Sequence, residues 1–101
     1  MPPDLDRLAK LLRQRYGAQL KRIIFFGSRA RGEAAAESDY DCLLIFQQVT
    51  PELNRDLNRL TGEWLVQEGV VFSYVVLSEA DLDRLRYEPF LQNARREGIA
   101  A

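Results

Sequence analysis

The sequence predicts an α/β (α+β) fold, a small β-sheet flanked by helices, and three observations carry that prediction. The segments "LKRIIFF" at 20–26, "YDCLLIF" at 40–46 and "VVFSYVVL" at 70–77 are short, apolar on successive residues and rich in β-branched and aromatic side chains, as in strands covered on both faces. Longer segments around them carry leucines at helical spacing. No repeat, low-complexity tract or linker interrupts the chain, so residues 1–101 are expected to form a single domain.

In order, "DLDRLAKLLRQRYG" places Leu5, Leu8 and Leu12 on one helical face, with Asp4 as the expected N-cap and Gly17 as the stop. The first strand ends at Gly27. A turn or short helix leads to the second strand, after which "TPELNRDLNRLTGEWLVQEG" reads as a helix capped by Thr50, opened by Pro51 and ended by Gly69. Its Leu53, Leu57, Leu60 and Trp64 form one stripe, expected to face the core. The third strand follows, and Ser78 with Asp81 opens a last helix through a capping-box pair, which Pro89 is expected to break. "FLQNARREGIAA" remains as a short terminal segment, with Arg95 and Arg96 either on a solvated face or near a helix C-terminus. Tyr87, Phe90 and Leu91 either tuck onto the core or form an apolar patch.

Composition narrows the chemistry. The chain has no histidine and one cysteine, Cys42, so a zinc site, a disulfide and Ser-His-Asp or Cys-His catalysis all lack their parts. Cys42 is read as a small buried hydrophobe. With 14 basic and 15 acidic residues and a net charge of −1, no strong attraction to nucleic acid or an anionic membrane is expected. No run approaches a membrane span and the N-terminal "MPPDLDRLAK" lacks a signal-peptide centre, so a cytoplasmic location is expected.

The chemistry concentrates in "FFGSRARGEAAAESDYD" at 25–41. A strand that turns at Gly27 and Ser28 presents unpaired backbone N–H groups, with no side chain at Gly27 to obstruct a phosphate and a hydroxyl at Ser28 to donate to one. Arg31, and more weakly Arg29, can add a forked cationic contact. Asp39 and Asp41 are one residue apart at the start of a strand, so the period of two directs both carboxylates to one face. Two such carboxylates repel unless a cation lies between them, and hard oxygen donors with open positions suit Mg²⁺. The plain alternative is a well-capped connection in which Asp39 caps a turn and Asp41 is a hydrated strand end.

Gly-Ser, ten residues, then Asp-x-Asp resembles the signature of the DNA polymerase beta-like nucleotidyltransferase superfamily, and the short length resembles its minimal nucleotidyltransferase (MNT) branch. That resemblance implies the nucleotidyltransferase fold, with Gly27, Ser28 and Arg31 on the nucleotide, Asp39 and Asp41 as catalytic metal ligands for Mg²⁺, and ATP as substrate. It implies transfer of AMP to a hydroxyl on a partner HEPN-domain protein, this chain being the antitoxin-like half of a two-protein system. The family often supplies a third carboxylate from the third strand, where the inward position reads as Ser73, with Glu79 and Asp81 as undistinguished substitutes. A second reading therefore stands beside the first: a catalytically weak or inactive nucleotide-binding module that masks its partner.

Overall fold

The structure, a computed structural model, describes residues 3–26, 40–69 and 72–101. Helix α1 (Pro3–Tyr16) leads through a 3-10 turn, Gly17–Gln19, into strand β1 (Leu20–Phe26). Strand β2 (Tyr40–Phe46), helix α2 (Pro51–Glu68), strand β3 (Phe72–Ser78), helices α3 (Glu79–Arg84) and α4 (Pro89–Glu97) and strand β4 (Ile99–Ala100) follow. Among the described residues these strands form one mixed sheet in the order β3-β2-β1-β4. β1 is antiparallel to β2 and β4, whereas β2 and β3 are parallel. Parallel neighbours need a crossover, and α2 supplies it.

Both faces of the sheet are covered, as the continuous apolar runs predict. On one face Leu5, Leu8 and Leu12 of α1 and Leu57, Leu60 and Trp64 of α2 pack on Leu20, Ile23, Phe25, Cys42, Leu44 and Phe46. On the other, Leu91 and Ala94 of α4 pack with Leu43, Ile45 and Leu77, joined by half-buried Ile24, Phe26, Leu82, Leu85 and Phe90. Alternate residues of β2 thus feed opposite layers.

Local signals set most boundaries. The Thr50 side chain accepts the Leu53 N–H at 3.1 Å and Pro51 opens α2. Gly69 closes α2 in the left-handed region at φ 67°, which a residue with a Cβ enters only at a cost. Ser78 and Asp81 form the expected capping box, the Ser78 side chain accepting the Asp81 N–H at 3.1 Å.

Four expectations need correction. Asp4 lies inside α1, which begins at Pro3, and so does not precede the helix as its cap. The third strand runs Phe72–Ser78, Ser78 serving as its last residue and as the cap of α3. Pro89 does not break the last helix: α3 has already stopped at Arg84, and Pro89 starts α4, because a first-turn proline forfeits no helical hydrogen bond. The terminal segment is that helix followed by β4, which pairs Ile24 with Ala100 and Phe25 with Ile99. Leu91 is buried and Phe90 packs beside it, while Tyr87 stands 74% exposed, with the Arg86 guanidinium 4.9 Å from its ring centroid.

Two contacts tie α1 to α2 outside the core. Arg15 Nε and the Tyr16 hydroxyl each donate to Asp56 Oδ2 at 2.7 Å, and Arg59 donates to Asp56 Oδ1 at 2.8 Å. At the other end of α2, Arg7 pairs with Glu68 at 3.1 Å and lies 5.6 Å from the Trp64 ring centroid. The donors around Asp56, Arg15 foremost, hold its carboxyl well below the usual carboxylate range. A depressed carboxylate favours the folded state above about pH 4, the ordinary value, and that support is lost as pH falls through the lowered value. Asp56→Asn should therefore lower the melting temperature at neutral pH, and the gap between variant and parent should shrink in thermal melts taken progressively below about pH 4.

Gly98 sits where α4 turns onto β1: a Cβ there would come within 2.1 Å of the Ala94 carbonyl oxygen and 2.4 Å of Ile24 Cγ2. Gly98→Ala should cost about 1–3 kcal/mol of stability by overpacking, measurable by denaturant titration, and a neutral effect would show that α4 is not seated as described.

Candidate active site

The site begins with the register of the central strands. Phe26, the last residue of β1, stands opposite Asp41, and Asp41 stands opposite Ser73 on β3. Directly opposite residues of neighbouring strands share a face. Phe26, Asp41 and Ser73 therefore form one row across the sheet, on the face that Leu43 and Ile45 give to α4.

Helical cover fades along that face toward this row. Leu77 is 7% exposed, Val75 is 36% exposed and Ser73 is exposed; on β2, Ile45 and Leu43 are buried while Asp41 is half-buried. A charged carboxylate is affordable at such an open end and not one step further in, where no water remains to solvate it. On the opposite face, the thiol of neighbouring Cys42 is buried and its pKa is pushed far up, by burial first and by the Asp41 charge second. A protonated, enclosed thiol is neither a nucleophile nor a metal ligand.

β1 ends at Phe26, so Gly27 and Ser28 follow immediately on the residue opposite Asp41. Gly27, Ser28, Arg31 and Asp39, and the turn or short helix expected between the first two strands, lie outside the described residues. Of the predicted site residues, Asp41 and Ser73 are described, and the sheet brings them side by side. Ser73 shares the face of Asp41 as the third-strand reading requires, at an exposed margin rather than an inward position. Glu79 and Asp81 instead belong to the first turn of α3, at the far end of β3. Asp81 is committed there: bonds from Arg84 first, then from Ser78, lower its pKa.

Phe26 stands beside Asp41, and Val75 one step further along the same face beside Leu43, without any signal in the periodicity, because strand register is not readable from one sequence. Elsewhere, a polar cleft of about 380 Å³ lined by Gln19, Gln47, Gln48, Thr50 and Leu53 lies at the opposite end of β2 from Asp41. Among the described residues its lining contains no titratable side chain.

The mixed sheet, its crossover helix and the carboxylate at an open strand end are set in a chain of the nucleotidyltransferase class. Solved structures share the fold: a toxin-antitoxin crystal structure with AMP-PNP aligns at TM-score 0.65 and 21% identity, covering 94% of this chain and 69% of that one. A structure described as a "putative nucleotidyltransferase" from Sulfolobus solfataricus aligns at TM-score 0.51 and 24% identity, covering 93% of this chain and 76% of that one. The chain belongs to the nucleotidyltransferase domain family, whose model matches residues 5–96. It is 36% identical over 94 residues to "Putative protein adenylyltransferase MJ0604" of Methanocaldococcus jannaschii, covering 93% of this chain and 90% of that protein. It is 29% identical to "Putative protein adenylyltransferase MJ1305" of the same organism, of whose length it spans 61%.

Proposed function

We propose that this chain is a Mg²⁺-dependent adenylyltransferase that moves AMP from ATP to a hydroxyl on a partner protein. The observation that carries the reading is the register of β1 against β2, which seats Asp41 opposite the residue that runs into Gly27 and Ser28. Asp39 and Asp41 are the metal ligands in this reading, and Gly27, Ser28 and Arg31 hold the triphosphate. The donor chemistry fits: Asp41 is a hard oxygen donor at a half-buried, open strand end, and the chain's single thiol is enclosed on the other face. Bound Mg²⁺ supplies neutralisation of the phosphate charge that grows as pyrophosphate departs.

The residues orient and the substrate reacts. The acceptor oxygen forms a bond to the α-phosphorus, the bond from that phosphorus to the bridging oxygen breaks, and pyrophosphate leaves with the electron pair. The hydroxyl proton leaves to water at the open end of the face, because Ser73 is not a base at neutral pH. The relatives' names support protein as the acceptor, and the toxin-antitoxin neighbour with AMP-PNP supports a two-protein system that uses ATP. In that system the partner is a HEPN-domain protein, as the MNT resemblance implies, and the cytoplasm is the setting. Among the described residues no helix is long and apolar enough to cross a membrane.

A second reading rests on Ser73. With serine beside Asp41, the chain binds nucleotide and masks its partner without transferring anything. Incubation with the HEPN-domain partner, Mg²⁺ and labelled ATP separates the two, since a stable complex that acquires no label leaves only the masking role. Under the enzymatic reading, Asp41→Asn should lower label transfer by about 10²–10³-fold while circular dichroism stays unchanged. Retained transfer in that variant would remove Asp41 from the site. Ser73→Asp should restore a base beside Asp41 and raise the transfer rate about tenfold or more; an unchanged rate would show that the position opposite Asp41 takes no part in acceptor activation.

A further inference from the structure

The start of β1 breaks the alternation of a strand. Successive strand residues face opposite sides of a sheet, yet Lys21 and Arg22 are both exposed between buried Leu20 and Ile23. The register against β2 shifts between Leu20 and Arg22, and a shift of that kind re-aims a side chain. Both cations thereby line one groove of about 300 Å³, together with Arg13 from the last turn of α1 and with apolar Ile24 and Ala100.

The charge of this groove has one sign. Arg13, Lys21 and Arg22 bring three cations, and the described lining holds no carboxylate. Arg55, Arg59, Arg84 and Arg86, by contrast, each pair with a carboxylate three residues earlier. On the Arg13 side of α1, Asp6 lies two turns back and is taken by Lys10 at 3.1 Å. Arg13 gives one N–H to the Ala101 carbonyl, and among the described residues Lys21 and Arg22 have no ion-pair partner. Phe26 and Tyr40, which bound the stretch 27–39, lie at the other end of their strands. Like charges gathered in one groove repel until an anion joins them, and arginine forks suit carboxylates.

We propose that this groove docks an acidic segment of the partner protein, Arg13, Lys21 and Arg22 taking its carboxylates and Ile24 and Ala100 its apolar side chains. Arginine-bearing clusters recognise acidic motifs in this way. Charge complementarity selects the acid, and the apolar floor selects a peptide. A nucleic acid backbone would need a longer basic track, and the chain as a whole carries a net charge of −1. The place suits the reaction as well. Lys21 precedes Phe26 by five residues, about 17 Å along the strand. A segment held here leaves the acceptor hydroxyl within about five or six extended residues of the row that contains Asp41. The inference rests on the proposed function only for the existence of a protein partner, which transfer and masking both require.

The test is titration of the full chain with two synthetic peptides, one alternating glutamate with alanine and one alternating glutamine with alanine, followed by amide chemical shifts. The acidic peptide should move the signals of Lys21, Arg22, Ile24 and Ala100, and the effect should fade at about 0.5 M salt. The glutamine peptide should move none of them. Lys21→Glu combined with Arg22→Glu should abolish the shifts and weaken the complex with the HEPN-domain partner about tenfold or more. Arg55→Glu combined with Arg84→Glu, the same change of net charge elsewhere, should leave both measurements as in the parent. Lys21→Gln with Arg22→Gln decides if the reversed variant fails to fold. No response to the acidic peptide, an equal response to the glutamine peptide, or a complex indifferent to the reversed charges overturns the proposal. So does a response to a thymidine oligonucleotide in place of the peptide, because the groove would then belong to nucleic acid. Neither measurement reads AMP transfer, so failure here and failure of the enzymatic reading stay distinct.

Discussion

The pairing of β1 with β2 is the constraint on which the rest depends. These two strands lie at the centre of the sheet, and their side chains feed both buried layers. A slip of one residue would turn Asp41 toward Leu8, Leu12 and Leu57 and Cys42 toward the open face. A charge in that apolar layer would be untenable without a partner. Burial on both faces therefore selects the register, and the register places a carboxylate opposite the end of β1. The site is a by-product of packing that stability already requires.

The second requirement is that β3 lie beside β2 in the same direction, and α2 meets it. Its buried stripe of Leu57, Leu60 and Trp64 settles on the sheet while Asp56 and Glu68 bind side chains of α1. The helix is thus fixed by the core on one side and by cations of α1 at both of its ends. Arg15 stays charged at every relevant pH, its pKa raised chiefly by its bond to Asp56, so the tie depends on the carboxylate's protonation alone.

Much of this was legible in the sequence because the signals were local. Continuous apolar runs marked β1 and β2 at 20–26 and 40–46, and Thr50, Pro51, Gly69 and the Ser78–Asp81 pair marked α2 and the start of α3 by backbone chemistry confined to a few residues. Pro89 misled because proline ends one helix and begins another with the same geometry, and only the placement of Leu91 and Ala94 against Ile24 and Leu43 decides between them. β4 was not legible because two residues carry no periodicity; it exists through pairing with a strand more than seventy residues earlier. At the site, the Asp-x-Asp spacing pointed to Asp41, but its neighbour Phe26 belongs to it only through register. Register is a property of the whole sheet.

The open end of the face and the outermost strand of the described sheet meet in the same region of the molecule. Ser73 lies in the row with Asp41 and also on the outermost strand, so nothing in the described sheet stands between the row and the space beyond β3. Whatever pairs with that strand forms a wall of the site, one strand spacing, about 4.8 Å, from Ser73. A small side chain at Ser73 leaves that approach open, where a larger residue would screen Asp41 from it. The position opposite the carboxylate therefore governs two things together: whether β3 contributes a base, and how closely a neighbouring chain can come to the reacting atoms. In a domain this small those two properties cannot be set independently, because the strand that completes the site is also the strand that ends the sheet.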